Sequence, residues 1–359
     1  MTSPKYPTRQ LGANGPYVSA IGLGAMGIGA YYGETDYDET FKMLTYACDN
    51  GVTFWDTADI YGSSEETLGK WFASTGRRSE IFLASKFGAS GMRDESERPE
   101  APNENGIPPP NSKPSYILRQ LQRSLSLLQT DHIDLYYQHR PDPHVPVEVV
   151  LETLRPAFED GRIRWFGISE CSVDVVRRAK AVKGLGEKFI CVQMEYGPFE
   201  LVHERSGLLA EVEKLGVGVV AYSPLGRGLI TGKFRSRADF EKGDLRLLLP
   251  RFDEANFPAN VRLADQMKNL ATKYNATSAQ LALAWILAEH PGYIPIPGSR
   301  TIERLRENME SANLATKLSP EDIREIRDWV DKADVQGSRY PSFFQRSNEC
   351  GKLEDWRGE

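Results

Sequence analysis

Along the chain, short runs of apolar and β-branched residues alternate with longer stretches in which apolar positions recur every three or four residues. Eight runs have the make-up of buried strands: 18–24, 52–56, 81–86, 133–138, 163–169, 190–194, 217–222 and 293–297. Most are continuous rather than alternating, as expected of strands covered on both faces. Between them, Leu118, Leu121, Leu125 and Leu128 step along one helical face, as do Val150, Leu154 and Phe158. After the eighth run, 301–314 and 319–333 read as helices, the second opened by Ser319 as cap with Pro320 in its first turn. Eight β-then-α units without a linker predict an α/β fold, a closed (β/α)8 TIM barrel forming one domain. The segment before them, turning at Ala13-Asn14-Gly15, reads as an extra hairpin placed to plug one end of that barrel.

The stretch Gly22-Leu-Gly24-Ala-Met-Gly27 has the spacing of a dinucleotide-binding glycine turn, and Asp56 closes the next run as a ribose-binding acid would. A Rossmann turn, however, starts its helix inside the glycine loop. Here Gly27 is followed by Ile-Gly-Ala-Tyr-Tyr-Gly, and helical period resumes only near Asp38, with Phe41, Leu44 and Cys48 on one face. The glycines are therefore read as a loop leaving the first barrel strand.

The chain has 359 residues, 40% of them hydrophobic and 26% charged, with a net charge of -6. Its Lys and Arg residues are scattered, which argues against nucleic acid as a partner. Residues 1–10 carry no apolar signal region, and no apolar run has bilayer length, so neither secretion nor a membrane is expected. Cys48, Cys171, Cys191 and Cys350 are far apart and read as reduced packing residues of a cytoplasmic protein, with no metal site. His132, His144, His203 and His290 have no partners at ligand spacing and read as structural or surface residues.

Chemistry in such barrels collects at the carboxyl ends of the strands. Those ends carry Asp56 and then Tyr61, Lys86, and His139. Together they suit protonation of a carbonyl oxygen. A phenol titrates near 10 and is a poor acid at neutrality, whereas an adjacent ammonium favours the phenolate and draws the proton into reach. Asp56 would keep the ammonium charged and oriented, and His139 would donate a hydrogen bond to the oxygen as negative charge develops. Singly, each residue is as readily structural; four complementary types on three successive βα junctions are not.

The words around them are longer still. "DTADIYGSSEETLGKW", "LASKFG", "IDLYYQHRPD", "AYSPLGRGLITGK" and "IPIPGSRTIERLRENM" occur in order, and the chain resembles an aldo-keto reductase over residues 7 to 333, leaving 334–359 as a tail. The wording is similar to the branch that holds NADP-linked reductases and potassium-channel β subunits. The resemblance implies Tyr61 as general acid, tuned by Lys86 and Asp56, with His139 orienting the carbonyl and a nicotinamide supplying hydride. It implies a coenzyme site of Met26, Asp56, Ser169, Gln193, Tyr222, Ser223, Leu225, Gly226, Gly228, Gly298, Ser299, Arg300, Arg304, Glu307 and Asn308. Ser169 and Gln193 suit a carboxamide, although Glu170 stands where the family often has Asn. Tyr222 suits stacking on the nicotinamide, and 223–228 a pyrophosphate. Arg300 and Arg304 at a helix start suit a 2′-phosphate, so NADPH is expected over NADH, with Glu307 and Asn308 facing the adenine.

Three long loops, 88–115, 140–146 and 227–259, are expected to build the substrate pocket or a lid. Tyr31, Tyr32, Trp55 and Phe87 are read as an apolar wall, with packing at the barrel rim the alternative for Trp55 and Phe87. The tail either folds back over the pocket or meets a second copy in a homo-oligomer. The leading reading is NADPH-dependent reduction of a small-molecule aldehyde or ketone. The alternatives are a channel-β-type regulatory subunit that binds NADP with little turnover, and a barrel hydrolase, for which only Asp56 and Asp59 approach the required carboxylate pair.

Overall fold

The computed structural model describes residues 6–29, 36–89, 108–344 and 346–359. A hairpin of β1 (Thr8–Gln10) and β2 (Tyr17–Ser19) precedes eight strands. These are β3 (Leu23–Gly24), β4 (Phe54–Asp56), β5 (Phe82–Phe87), β6 (Ile133–Gln138), β7 (Ile163–Ser169), β8 (Phe189–Glu195), β9 (Gly218–Tyr222) and β10 (Tyr293–Pro295). They pair in parallel in strict chain order. The ring closes where the Gly22 N–H donates to the Pro295 carbonyl (2.9 Å), the Gly24 N–H donates to the Pro297 carbonyl (3.2 Å), and Gly24 bridges Gly298 in parallel. The expected (β/α)8 barrel is the fold.

The helices are α1 (Met26–Gly29), α2 (Tyr37–Asp49), α3 (Ser64–Thr75), α4 (Pro114–Leu127), α5 (Val147–Glu159), α6 (Val173–Ala181), α7 (Val202–Arg205), α8 (Leu208–Lys214), α9 (Phe257–Lys273), α10 (Ser278–Glu289), α11 (Ile302–Ala315) and α12 (Pro320–Lys332). Thr301 and Ser319 cap α11 and α12 through their side chains, as their sequences require. Two details depart from expectation. Leu118 is 45% exposed, because Ile117 rather than Leu118 completes the buried stripe with Leu121 and Leu125. The run 18–24 splits: Val18 belongs to the hairpin, and only Leu23 and Gly24 pair in the barrel.

Two apolar cores result. A large one lies between strands and helices. A smaller one fills the barrel, where Leu11 and Val18 of the hairpin pack with Phe54, Leu135, Tyr137, Ile190, Val220 and Ile294. The hairpin plugs the amino ends of the strands. Ala13 N–H donates to the Gly216 carbonyl (2.9 Å), and the Arg9 guanidinium donates to the carbonyls of His290 (2.8 Å) and Tyr293 (3.0 Å). A Cβ on Gly12 (φ 71°) would sit 2.3 Å from the Ile190 carbonyl oxygen, so this junction needs glycine.

Gly22 and Gly24 serve the same ring. A Cβ on Gly24 would lie 2.7 Å from the Ile296 carbonyl oxygen, so the glycines permit the closing seam rather than a Rossmann turn. A short helical turn, α1, follows at once where a longer irregular loop was expected.

At the opposite face, the loop after β9 forms short 3-10 turns around Phe234, Phe240, Phe252 and Phe257, with the Arg246 guanidinium 4.3 Å above Phe234 and 4.5 Å above Phe240. The tail folds back across this face. Arg339 pairs with Glu170 (2.6 Å), and the Asn348 carbonyl accepts from the Ser172 N–H (2.8 Å). Ser115 N–H donates to Glu359 (2.9 Å). All four cysteines are buried and outside any disulfide. No helix among the described residues is long and apolar enough to cross a membrane.

Candidate active site

Strand periodicity aims Asp56, at the end of β4, and Lys86, near the end of β5, to one side of the sheet. Lys86 is fully buried and its ammonium donates to Asp56 Oδ1, to the Thr57 carbonyl (2.7 Å) and, at 3.5 Å, to the Tyr61 hydroxyl. The second oxygen of Asp56 accepts from Gln193 Nε2 at 2.8 Å. Burial lowers the Lys86 pKa, with Asp56 opposing it, and raises that of Asp56, with Lys86 opposing it. Each charge is costly there alone and is retained because the other lies against it.

His139 follows β6, held by its N–H bond to the Phe87 carbonyl (2.7 Å). Its ring meets that of Tyr61 edge-on, with centroids 5.7 Å apart. Burial, then the charges of Lys86 and Arg140, put its pKa well below the ordinary value, so the imidazole is neutral near pH 7. A neutral ring can donate from one nitrogen, and Nδ1 is buried without a partner among the described residues. Tyr61 itself sits on a tight turn. A Cβ on Gly29 would be 2.3 Å from the Tyr61 carbonyl oxygen, so Gly29 lets the first loop press against the turn that carries the phenol. The structure thus gathers all four residues singled out from the sequence.

A groove of about 860 Å³ starts at this cluster and runs between β9 and α11. Met26, Asp56, Tyr61, Gln193, Tyr222, Ser223, Leu225, Gly228, Gly298, Ser299, Arg300, Arg304, Glu307 and Asn308 line it. Ser169 and Gly226 do not. Ser169 is only 1% exposed, beside Gln193 in the sheet, and Gly226 (φ 57°) shapes the turn: a Cβ there would meet Phe199 at 2.8 Å. The N–H groups of Gly226 and Gly228 donate inside the turn to Ser223 (2.9 Å) and Leu225 (3.1 Å). At the far end, Arg304 pairs with Glu307 (2.6 Å), and Asn308 Nδ2 donates to Ser299 Oγ (3.0 Å).

Sequence reasoning named the loop 227–259 as pocket-building but not which of its residues would line the groove. Thr231, Lys233, Phe234, Phe240 and Arg246, all from the loop after β9, also face the groove. No periodicity marks them, because an irregular loop has none. Of the two readings of Trp55 and Phe87, the wall is corrected and packing holds: both are fully buried, Trp55 against Trp71 and Phe72, and Phe87 against Tyr136. Tyr31 and Tyr32, and positions 90–107 of the second loop, lie outside the described residues.

A (β/α)8 barrel that gathers a buried Lys–Asp pair, a phenol and a neutral imidazole at the carboxyl ends of its strands, beside a long groove, has the architecture of a barrel enzyme. Residues 20–331 match the model of the aldo/keto reductase family, and the chain belongs to that family. It is 42% identical over 339 residues to the aldo-keto reductase yakc [NADP(+)] of Schizosaccharomyces pombe, covering 93% of this chain and 94% of that protein. It is 41% identical over 344 residues to the aldo-keto reductase str7 of Strobilurus tenacellus, covering 93% and 94%. A thermostable aldo-keto reductase solved with the inhibitor epalrestat superimposes with a TM-score of 0.69 at 28% identity, over 90% of this chain and 99% of that one. Membership makes this an oxidoreductase of small carbonyl compounds.

Proposed function

We propose that the protein reduces an aldehyde or ketone to the alcohol, with Tyr61 as general acid and NADPH as the reductant. One observation carries the reading: the Tyr61 hydroxyl lies 3.5 Å from an ammonium that is itself paired to a buried carboxylate. NADPH, when bound, supplies the hydride. The remaining chemistry falls to the chain. The carbonyl oxygen sits between the Tyr61 hydroxyl and the His139 ring, and His139, being neutral, donates without adding a second cation. As charge grows on that oxygen, the phenol gives up its proton and the adjacent Lys86 ammonium stabilises the phenolate. Asp56 holds the ammonium in place, and Gln193 holds Asp56.

The groove residues fit a dinucleotide. Left-handed backbone at Ser223 (φ 49°), Gly226 (57°), Arg227 (54°) and Gly228 (90°) forms a concave turn suited to a pyrophosphate. Tyr222 offers a face to the nicotinamide, with Met26 across from it; Ser169 and Gln193 take the carboxamide. Gly298, Ser299, Arg300 and Arg304 take the 2′-phosphate at the start of α11, with Glu307 and Asn308 toward the adenine. The relative in Schizosaccharomyces pombe carries NADP(+) in its name. Coenzyme oxidation with a panel of small aldehydes tests the function. Turnover is expected with wild type and not with Tyr61→Phe; coenzyme binding without turnover on any carbonyl would leave only a regulatory role.

A further inference from the structure

We infer that Arg346, in the tail, receives a carboxylate carried by the carbonyl substrate, so that the protein favours aldehydes or ketones that are also acids; this rests on the reductase reading above. The coenzyme groove runs from Tyr61 toward β9 and α11, which leaves the body of the substrate to the other side of His139. There the ends of two loops and the tail are tied together. Asn111 N–H donates to the Gly88 carbonyl (3.2 Å), Ser112 N–H to Asp142 Oδ2 (2.8 Å), and Gly351 N–H to the Asp142 carbonyl (3.1 Å). Half-buried Arg346 joins this rim, its Nη2 donating to the Pro108 carbonyl (2.9 Å). Six residues earlier, the Tyr340 hydroxyl lies 3.4 Å from that of Tyr222, which lines the groove. The segment 340–346 therefore spans from the groove to the end of the second loop. Arg140, the residue after His139, is close enough to both ends for charge to act between it and Tyr340, and between it and Arg346.

The two cations whose charges act on His139 are matched, Lys86 by Asp56 and Arg140 by Tyr222 and Glu170. Arg339, also in the tail, is matched by Glu170 (2.6 Å). The carboxylates of the rim are spent elsewhere. Asp142 accepts from the N–H groups of Ser112 (2.8 Å) and His144 (2.9 Å), Glu349 from the Ser172 hydroxyl (2.8 Å), and Glu359 from the Ser115 N–H (2.9 Å). Arg346 makes no ion pair among the described residues, and the Pro108 carbonyl is its one hydrogen-bond partner there. Burial and the charge of Arg140 both work against its own charge, and no carboxylate offsets them. An anion brought to this place relieves that repulsion, and the rest of the guanidinium fork is available to hold it. One uncompensated cation suits a carboxylate, which is planar, singly charged and bidentate, better than a doubly charged phosphate. His139, being neutral, leaves this balance unchanged.

Values of kcat/KM for 3-carboxybenzaldehyde, 4-carboxybenzaldehyde and their methyl esters, measured with NADPH on wild type, Arg346→Gln and Arg346→Lys, test this. In wild type at least one acid should exceed its ester by about tenfold, and the advantage should shrink as salt rises from about 0.1 M to about 1 M. Arg346→Gln should bring the acid-to-ester ratio to about one or below. Arg346→Lys should give an intermediate ratio, because it keeps the charge and loses the fork. The ratio does not depend on how much of a variant folds, and if Arg346→Gln is inactive the lysine variant and the salt response of wild type decide. A ratio unchanged in the variants, or unmoved by salt, overturns the inference. Wild type that turns over the esters and prefers neither acid overturns it while leaving the reductase reading intact. Wild type that turns over none of the four overturns that reading, and this inference with it.

Discussion

Lys86 and Asp56 form an ion pair closed off from solvent, and each of its charged groups reaches one further side chain: the ammonium to the Tyr61 hydroxyl, the carboxylate to Gln193. The pair, contributed by β4 and β5, therefore links the turn that carries Tyr61 to Gln193 on β8. Its energetics differ from those of a surface ion pair, since removing one partner strands the other in a low-dielectric interior.

Asp56→Asn should accordingly cost about 3–5 kcal/mol of stability and abolish turnover. Adding Lys86→Met to it should recover most of that stability and none of the activity. Urea unfolding curves and carbonyl-dependent NADPH oxidation measure the two separately; a double variant no more stable than Asp56→Asn would refute the stranded-charge account.

The neutral state of His139 makes a pH prediction. Its folded pKa lies well below 6.5 through burial and the charges of Lys86 and Arg140. In the window between that lowered value and 6.5 the unfolded chain binds a proton that the folded chain does not. Stability from this group is complete above 6.5 and is lost as the pH falls. Between about pH 7 and about pH 5 wild type should lose stability more steeply than His139→Gln. Parallel curves would show that the imidazole takes up its proton at the same pH in the fold as in the unfolded chain, and would refute the shift.

The Arg304 guanidinium pairs with the Glu307 carboxylate (2.6 Å). A 2′-phosphate would compete for the guanidinium. Arg304→Ala should weaken NADPH by about tenfold while changing NADH by less than about twofold. Fluorescence titration with both coenzymes decides the matter, and equal losses would remove Arg304 from the 2′-phosphate site.

Gly12 carries the hairpin plug. Alanine there combines a left-handed backbone with a Cβ 2.3 Å from the Ile190 carbonyl, so Gly12→Ala should destabilise by about 2 kcal/mol or more. Turnover per folded molecule should be unchanged, because the plug lies at the far end of the barrel from Tyr61. Thermal unfolding with active-site titration checks both halves.

Much of this was legible before any coordinates. Strands buried on both faces leave continuous apolar runs, and in a parallel barrel their carboxyl ends meet, so Asp56, Lys86 and His139 could be grouped from position alone. The choice left open for Trp55 and Phe87, wall or packing, is also decided by strand geometry. Side chains alternate along a strand, so neighbours of Asp56 and Lys86 must face the helices if those two face the barrel interior. Leu118 was misread because a three-residue step and a four-residue step fit the same short pattern. The length of the loop 227–259 marked it as pocket-building, but that Lys233, Phe234 and Arg246 are the residues that reach the groove is set by tertiary packing and leaves no sequence pattern.

The seam at Gly24 and Gly298 has a consequence for biosynthesis. All four residues of the buried cluster, Asp56, Tyr61, Lys86 and His139, lie within residues 56 to 139, yet the last rungs of the ring are made by residues 295–297 on residues 22–24. A ribosome-bound intermediate halted before the eighth barrel strand holds every one of those groups and has no closed ring to fix them in. Reductase competence should therefore switch on late and all at once during translation, when the two ends of the sheet find each other.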